Sequence, residues 1–152
     1  MIQYVQGGDI LELSEGDGLK VVALVGGGDW SKKPGSLTAR ISARWTDGKM
    51  SPAGWHRACF RWMKMNNNLG DVQWTCVEYK LAICFMVSEY TRHGINYETL
   101  ESCLDYLGTG AKALADSQKT TATIHMPALE NKNEFEWMIQ DQLEDFDIFL
   151  YE

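Results

Sequence analysis

One short apolar segment that runs into a cluster of glycines constrains the fold of this chain more than any other feature. Residues 21–25 read Val-Val-Ala-Leu-Val and are followed by Gly26, Gly27 and Gly28. Because every position is apolar, the segment predicts a strand buried on both faces in the middle of a sheet. Glycines allow positive φ angles and let main-chain N–H groups approach an anion. We therefore expect a pocket where this strand ends, although an ordinary Gly-rich turn also fits.

The residues that follow lack the two common phosphate-binding signatures. A helix start is indicated by Pro34, Gly35 and Ser36, with Ser36 as the N-cap. Neither the dinucleotide pattern G-x-G-x-x-G nor the phosphate-loop ending G-K-[ST] is present. Asp29 and Trp30 can offer a hydrogen-bond acceptor and a stacking face, but a solvated loop with one anchored tryptophan explains them equally well.

The negative charge of the chain is concentrated near its C-terminus. The formal net charge is −7, and residues 134–152 hold seven acidic residues and no Lys or Arg, which leaves the rest of the chain neutral. A general nucleic-acid-binding role needs a basic surface and is not expected. The acidic segment fits a solvated helix face, or alternatively a docking surface for a basic protein partner.

Cysteine usage and hydropathy predict a cytoplasmic protein. The four cysteines form no C-x-x-C pair, and three of them lie in apolar patterns typical of reduced, buried thiols. The chain opens without a signal-peptide pattern, and its longest strongly apolar run, residues 81–87, is too short to span a membrane. At 152 residues, the chain is expected to form a single domain, 1–152.

The order of elements predicts a three-layer α/β/α sandwich with a mixed central sheet of about six strands. Strands are predicted at residues 2–6, 21–25, 72–77, 81–87, 121–125 and 147–151, with a short extended piece at residues 10–13. Helices are predicted after the caps Ser36, Ser51 and Asn96, the last interrupted at Gly108 and Gly110, and over residues 135–143. In such sheets, ligands bind beyond the carboxyl ends of the strands.

Three stretches taken together resemble the macrodomain family. Gly-Gly-Asp-Ile at residues 7–10 is similar to a segment of that family, and residues 69–73 with the apolar run 81–87 are similar to its central hairpin. The strongest match is the ordered set formed by residues 97–100, residues 123–127, Trp137 and residues 147–151. The chain resembles in particular the small members related to ADP-ribose 1″-phosphate phosphatases and ADP-ribosyl-protein hydrolases.

This resemblance implies that an ADP-ribose-type nucleotide binds along the crest of the sheet. It implies that Asp9 accepts a hydrogen bond from the adenine amino group and that Tyr151 lies near the adenine. The glycines and the helix start take the place of the loop that meets the diphosphate and distal ribose. The ligand-binding residues expected are Asp9, Ile10, Gly26, Gly27, Gly28, Trp30, Gly35, Ser36, Leu37, Ser88, Asn131 and Tyr151.

The catalytic residues of the family are altered in this chain. Leu24 stands where the family has a histidine, and residues 128–134 lack every glycine of the family's second loop. The candidate catalytic residues are Asp29, His125 and Glu134, with Glu134 standing in for the catalytic acid. For His125, a hydrogen-bonded structural histidine is the alternative. No metal-ligand spacing is present, and neither a metal nor a cofactor is expected.

Three functions are compatible with the sequence. The first is a binder that sequesters ADP-ribose or a related NAD-derived nucleotide. The second is a phosphatase or glycohydrolase acting on ADP-ribose derivatives or ADP-ribosylated targets. The third is a protein-interaction module that uses the acidic C-terminal face, with the crevice left without a ligand.

Overall fold

The computed structural model describes residues 1–12, 18–25, 37, 40, 70–78, 80–86, 90–91, 94–95, 97–128 and 132–152. The helix predicted after Ser51 lies outside these residues. Of the helix predicted after Ser36, only Leu37 and Arg40 are described, and both are helical.

The described elements alternate between strands and helices. The strands are β1 (Ile2–Val5), β2 (Leu19–Val25), β3 (Val72–Glu78), β4 (Leu81–Met86), β5 (Tyr90–Thr91), β6 (Gly94–Ile95), β7 (Ala122–Pro127) and β8 (Asp147–Tyr151). The two described helices of known bounds are α1 (Tyr97–Ser117) and α2 (Lys132–Gln142). None of the described helices is long and apolar enough to cross a lipid bilayer.

Six strands form one mixed sheet in the order β1-β8-β7-β2-β4-β3. All neighbours are parallel except β3, which pairs antiparallel with β4. The apolar strand β2 lies between β7 and β4, with Val21 in register with Ile124 on one side and with Ala82 on the other. The predictions of a central strand at residues 21–25 and of a mixed six-stranded sheet are confirmed.

Both faces of the centre of this sheet are buried. On one face, side chains of β2, β4 and β7 form a continuous core with α1 and α2. On the other face, Val22, Leu24, Ile83 and Phe85 are each 0% exposed. Because burial of apolar area is the main force that favours folding, a strand apolar at every position is most stable where both of its faces are covered.

Of the short extended piece predicted at residues 10–13, the described residues 10–12 do not form a strand. The carbonyl oxygen of Asp9 accepts the Glu12 N–H at 2.9 Å, and its Oδ1 accepts the Leu11 N–H at 2.9 Å. These bonds fold Ile10 and Leu11 into a turn. An aspartate side chain that accepts a hydrogen bond from the backbone just after it competes with strand pairing. Here this local bond prevails over the apolar pattern that predicted a strand.

The prediction that the helix is interrupted at Gly108 and Gly110 is also wrong, because α1 is continuous through both glycines. Both positions have close neighbours instead. A Cβ at Gly110 would lie 2.6 Å from Cζ2 of Trp74 on β3, and one at Gly108 would lie 3.2 Å from Cδ2 of Leu143. The glycines let α1 approach the sheet and the segment after α2 more closely than any larger residue would.

We expect Gly110→Ala to destabilise the protein. Alanine favours a helix interior over glycine by about 1 kcal/mol, but overpacking a well-filled contact costs about 1–3 kcal/mol. Because the indole ring occupies the space that the new methyl group needs, the cost of overpacking should exceed the gain in helix propensity. The free energy of unfolding should therefore fall by about 1–2 kcal/mol in urea denaturation. The matched control is Thr109→Ala at the exposed neighbouring position, which should be neutral or slightly stabilising. A Gly110→Ala protein at least as stable as the wild type would contradict this packing account.

Candidate functional site

A cleft lies at the edge of the sheet where the parallel strands end. β1, β7 and β8 run in the same direction, with Val5 in register with Tyr151 and Pro127 also in register with Tyr151. Val25 and Met86 end β2 and β4 at the same edge. The cleft has a volume of about 400 Å³, which is within the range of small-molecule sites. The described residues that line it are Gly7, Gly8, Asp9, Ile10, Leu37, Arg40, Pro127 and Tyr151.

Two glycines direct the chain from β1 into this cleft. Gly7 has a positive φ of +68°, a conformation that other residues adopt only with strain. A Cβ at Gly8 would lie 2.6 Å from Cγ1 of Val5. The turn that follows β1 therefore needs glycine at both positions, and it delivers Asp9 to the wall of the cleft.

Asp9 is held in place from two sides. Its Oδ1 accepts the Leu11 N–H, and its Oδ2 accepts a hydrogen bond from Nη2 of Arg40 in an ion pair. The side chains are 33% exposed for Asp9 and 43% for Arg40, so the ion pair adds little to stability and serves mainly to orient both groups. Each carboxylate oxygen has two lone pairs and can therefore accept more than one hydrogen bond.

Arg40 is a site residue that the sequence analysis missed. It lies three residues after Leu37, which was predicted to bind ligand, and residues three apart share one helix face. This spacing is the signal that could have identified it. Its guanidinium carries five N–H donors, of which a carboxylate uses at most two, so it can also contact a phosphate or another acceptor.

His125 lies behind the cleft wall with a partner at each ring nitrogen. Nε2 is 2.9 Å from Oγ1 of Thr123, and Nδ1 is 2.8 Å from Oη of Tyr151. The imidazole also stacks on Phe149, with ring centroids 5.0 Å apart. Burial, together with the positive charge of Lys20, lowers the pKa of His125 to about 4. This is the geometry of the hydrogen-bonded structural histidine that the sequence left open as an alternative.

The structure brings together four of the predicted ligand-binding residues at the cleft, namely Asp9, Ile10, Leu37 and Tyr151. The others lie outside the described residues, and these are Gly26, Gly27, Gly28, Trp30, Gly35, Ser36, Ser88 and Asn131. Of the predicted catalytic residues, Asp29 also lies outside, and Glu134 is the third residue of α2.

The remaining reactive groups of the described part of the chain do not form a second site. Neither Cys84 nor Cys103 is in a disulfide, and both are buried. Burial, with Cys103 nearby, raises the pKa of the Cys84 thiol well above its ordinary value. A thiol in such surroundings is a poor nucleophile. Within the described ranges, no three His, Cys, Asp or Glu side chains are grouped so that they could hold a metal ion.

The buried histidine should make the protein less stable in acid. Because its pKa of about 4 in the folded state is below the ordinary 6.5, the unfolded state binds a proton more readily. The stability from neutral His125 is complete above pH 6.5 and is lost as the pH falls toward 4. Between pH 7 and pH 4.5, urea denaturation should show His125→Asn losing about 2 kcal/mol less stability than the wild type. Parallel pH profiles for the two proteins would contradict this account.

Comparison with solved structures identifies the fold. No protein-family model matches the sequence, and no curated protein matches it. A macrodomain protein from Streptomyces coelicolor matches 100% of this chain over 99% of its own length, with a TM-score of 0.75 and 24% identity. A protein of unknown function from Bacteroides thetaiotaomicron matches 99% of this chain over 97% of its own, with a TM-score of 0.73 and 23% identity. A mutant of the Oceanobacillus iheyensis macrodomain matches 99% of this chain over 84% of its own, with a TM-score of 0.50 and 15% identity.

The matches span the chain from end to end, and two of the three cited structures are macrodomains. Their low identity means that the likeness rests on architecture, which agrees with the mixed six-stranded sheet and the helices packed on it. The chain therefore has the macrodomain fold, as its resemblance to that family predicted.

Proposed function

We propose that the protein binds ADP-ribose or a related NAD-derived nucleotide in the cleft at the carboxyl edge of the sheet. The observation that carries the proposal is the Asp9 carboxylate, which is fixed at the cleft wall by Leu11 and Arg40. It lies at the strand ends, where open α/β sheets bind their ligands. It also belongs to residues 7–10, one of the stretches on which the macrodomain resemblance rests.

The chemistry of the cleft wall fits the adenosine end of such a ligand. An ionised carboxylate only accepts hydrogen bonds, so Asp9 favours a group with an N–H, such as the adenine amine. Tyr151 and Pro127 supply apolar surface against which a flat base can pack. By the resemblance to macrodomains, the ligand's diphosphate would meet the glycines at residues 26–28 and the helix start predicted at Ser36, where backbone amides would suit an anion.

Binding without turnover is favoured over hydrolysis by the environment of His125. Both of its ring nitrogens are engaged, and its lowered pKa keeps it neutral and a poor base near pH 7. A phosphatase or glycohydrolase activity would then depend on Asp29 and Glu134, which remain candidates from the sequence.

One observation favours the other candidate function, in which the protein binds a basic protein partner. Trp137 on α2 is 59% exposed and lies in the acidic C-terminal part of the sequence.

Calorimetric titration with ADP-ribose tests the proposal, and we expect saturable binding that Asp9→Ala weakens about 10- to 100-fold. This range reflects the loss of a charged hydrogen bond, which is worth about 1.5–3 kcal/mol. The control is Asp105→Ala, which removes an exposed carboxylate from α1 and should leave the affinity unchanged. Because Asp9 also orders its own turn, urea denaturation should confirm that each variant is folded.

Chromatography of the mixture after titration distinguishes the alternatives. Intact ADP-ribose supports a binder, whereas conversion to product supports the hydrolase. No heat and no displacement of a labelled ADP-ribose analogue, with a folded protein, would contradict the proposed function. An affinity that is equal in the Asp9 and Asp105 variants would place the ligand elsewhere.

A further inference from the structure

A chain of hydrogen bonds joins the interior of the sheet to the cleft wall. It runs from Thr123 through the imidazole of His125 to the hydroxyl of Tyr151, with contacts of 2.9 Å and 2.8 Å. His125 is only 6% exposed, whereas Tyr151 lines the cleft. Within the described residues, the Tyr151 hydroxyl has no partner besides His125. The described residues therefore leave its other hydrogen-bonding position unused, and a ligand in the cleft can bind there.

The direction of these hydrogen bonds determines whether the Tyr151 hydroxyl can donate or only accept a hydrogen bond in the cleft. A neutral imidazole has one nitrogen that donates and one that accepts. If the proton is on Nδ1, His125 donates to Tyr151, and the Tyr151 proton is free to be donated into the cleft. If the proton is on Nε2, Tyr151 must donate to His125, and its hydroxyl then offers only a lone pair. The first tautomer therefore suits a ligand atom that accepts a hydrogen bond, and the second suits a ligand atom that donates one.

The position of Lys20 selects the first arrangement. Lys20 on β2 is in register with Thr123, the residue that contacts Nε2, so its backbone is on the Nε2 side of the imidazole. Tyr151 belongs to β8, on the opposite side of β7. A positive charge disfavours a proton on the nearer nitrogen and favours a Thr123 hydroxyl whose oxygen faces the charge and whose hydrogen faces Nε2. Thr123 then donates to Nε2, and the remaining proton resides on Nδ1.

We propose that His125 is a positioning residue that holds the Tyr151 hydroxyl as a hydrogen-bond donor, so that the bound ligand places an acceptor atom against Tyr151. This inference rests on the proposed function, since the ligand is taken to occupy the same cleft. Asp9 and Tyr151 then form a complementary pair of one acceptor and one donor. A ligand suited to both presents an N–H group and a separate acceptor, which is a ring nitrogen, a hydroxyl or a phosphate oxygen.

The tautomer can be observed without any ligand. In ¹⁵N-labelled protein at pH 7, two-dimensional NMR of the imidazoles should show His125 with a protonated Nδ1 and an unprotonated Nε2. The signal is assigned by its disappearance in His125→Asn, which separates it from His56 and His93. A protonated Nε2 would overturn the inference whatever the protein binds.

Two neutral substitutions of His125 separate positioning from packing. The asparagine amide nitrogen is bonded to Cγ, as Nδ1 is, so His125→Asn can still donate to Tyr151. The glutamine amide lies one bond further out, near the place of Nε2, so His125→Gln keeps the Thr123 contact and loses the contact to Tyr151. Both variants remove the ring stacked on Phe149, and a purely structural role would therefore affect them alike.

Titration with ADP-ribose then tests the donor. Tyr151→Phe and His125→Gln should each bind about tenfold more weakly than the wild type, whereas His125→Asn should stay within about threefold. Equal affinity of Tyr151→Phe and wild type, or equal losses in the two His125 variants, would overturn the inference. If the wild type binds no ADP-ribose, the proposed function fails, and the tautomer measurement still decides the direction of the hydrogen-bond chain.

Discussion

The fold is built around the parallel pairing of β2 with both β4 and β7. It buries a strand that is apolar at every position and places the carboxyl ends of five strands at one edge of the sheet. Parallel sheets are stable only when both faces are covered, so this pairing also requires the helices that pack on the sheet. The cleft lies at this edge, where open α/β sheets bind their ligands.

The site is built by local devices added to that frame. The glycine pair after β1 permits a turn that no larger residues would allow, and the Asp9 carboxylate closes the turn by accepting a backbone N–H. The same carboxylate pairs with Arg40, so the fold of the turn and the polarity of the cleft depend on one side chain. Tyr151 completes the wall from the last strand, where burial of the ring raises the pKa of its hydroxyl and keeps it protonated.

The sequence predicted the features that depend on patterns within a segment. The apolar run at residues 21–25 indicated a central strand, and the leucines of α1 repeat at the spacing of one helix face, as Leu100, Leu104 and Leu107 show. The errors occurred where contacts between distant segments override local preference. Gly110 weakens an isolated helix, yet α1 continues through it because Trp74, 36 positions earlier in the sequence, packs closely against it.

The roles of individual residues were predicted less well than the fold, because they too depend on contacts between distant segments. Asp9 and Tyr151 were identified through the resemblance to a family, whereas Arg40 belongs to the cleft because of a helix orientation that composition does not show. The character of His125 depends on Tyr151, 26 residues away, and on Lys20 on a neighbouring strand. No spacing in the sequence reveals that its two nitrogens are engaged.

The proposed function places a nucleotide in the part of the cleft that is lined by Asp9 and Tyr151. A crystal structure of the protein with ADP-ribose tests it most directly. We expect an amine of the ligand within hydrogen-bonding distance of the Asp9 carboxylate and an acceptor atom facing the Tyr151 hydroxyl. A ligand bound away from this edge of the sheet, without contact to Asp9 or Tyr151, would contradict the proposal.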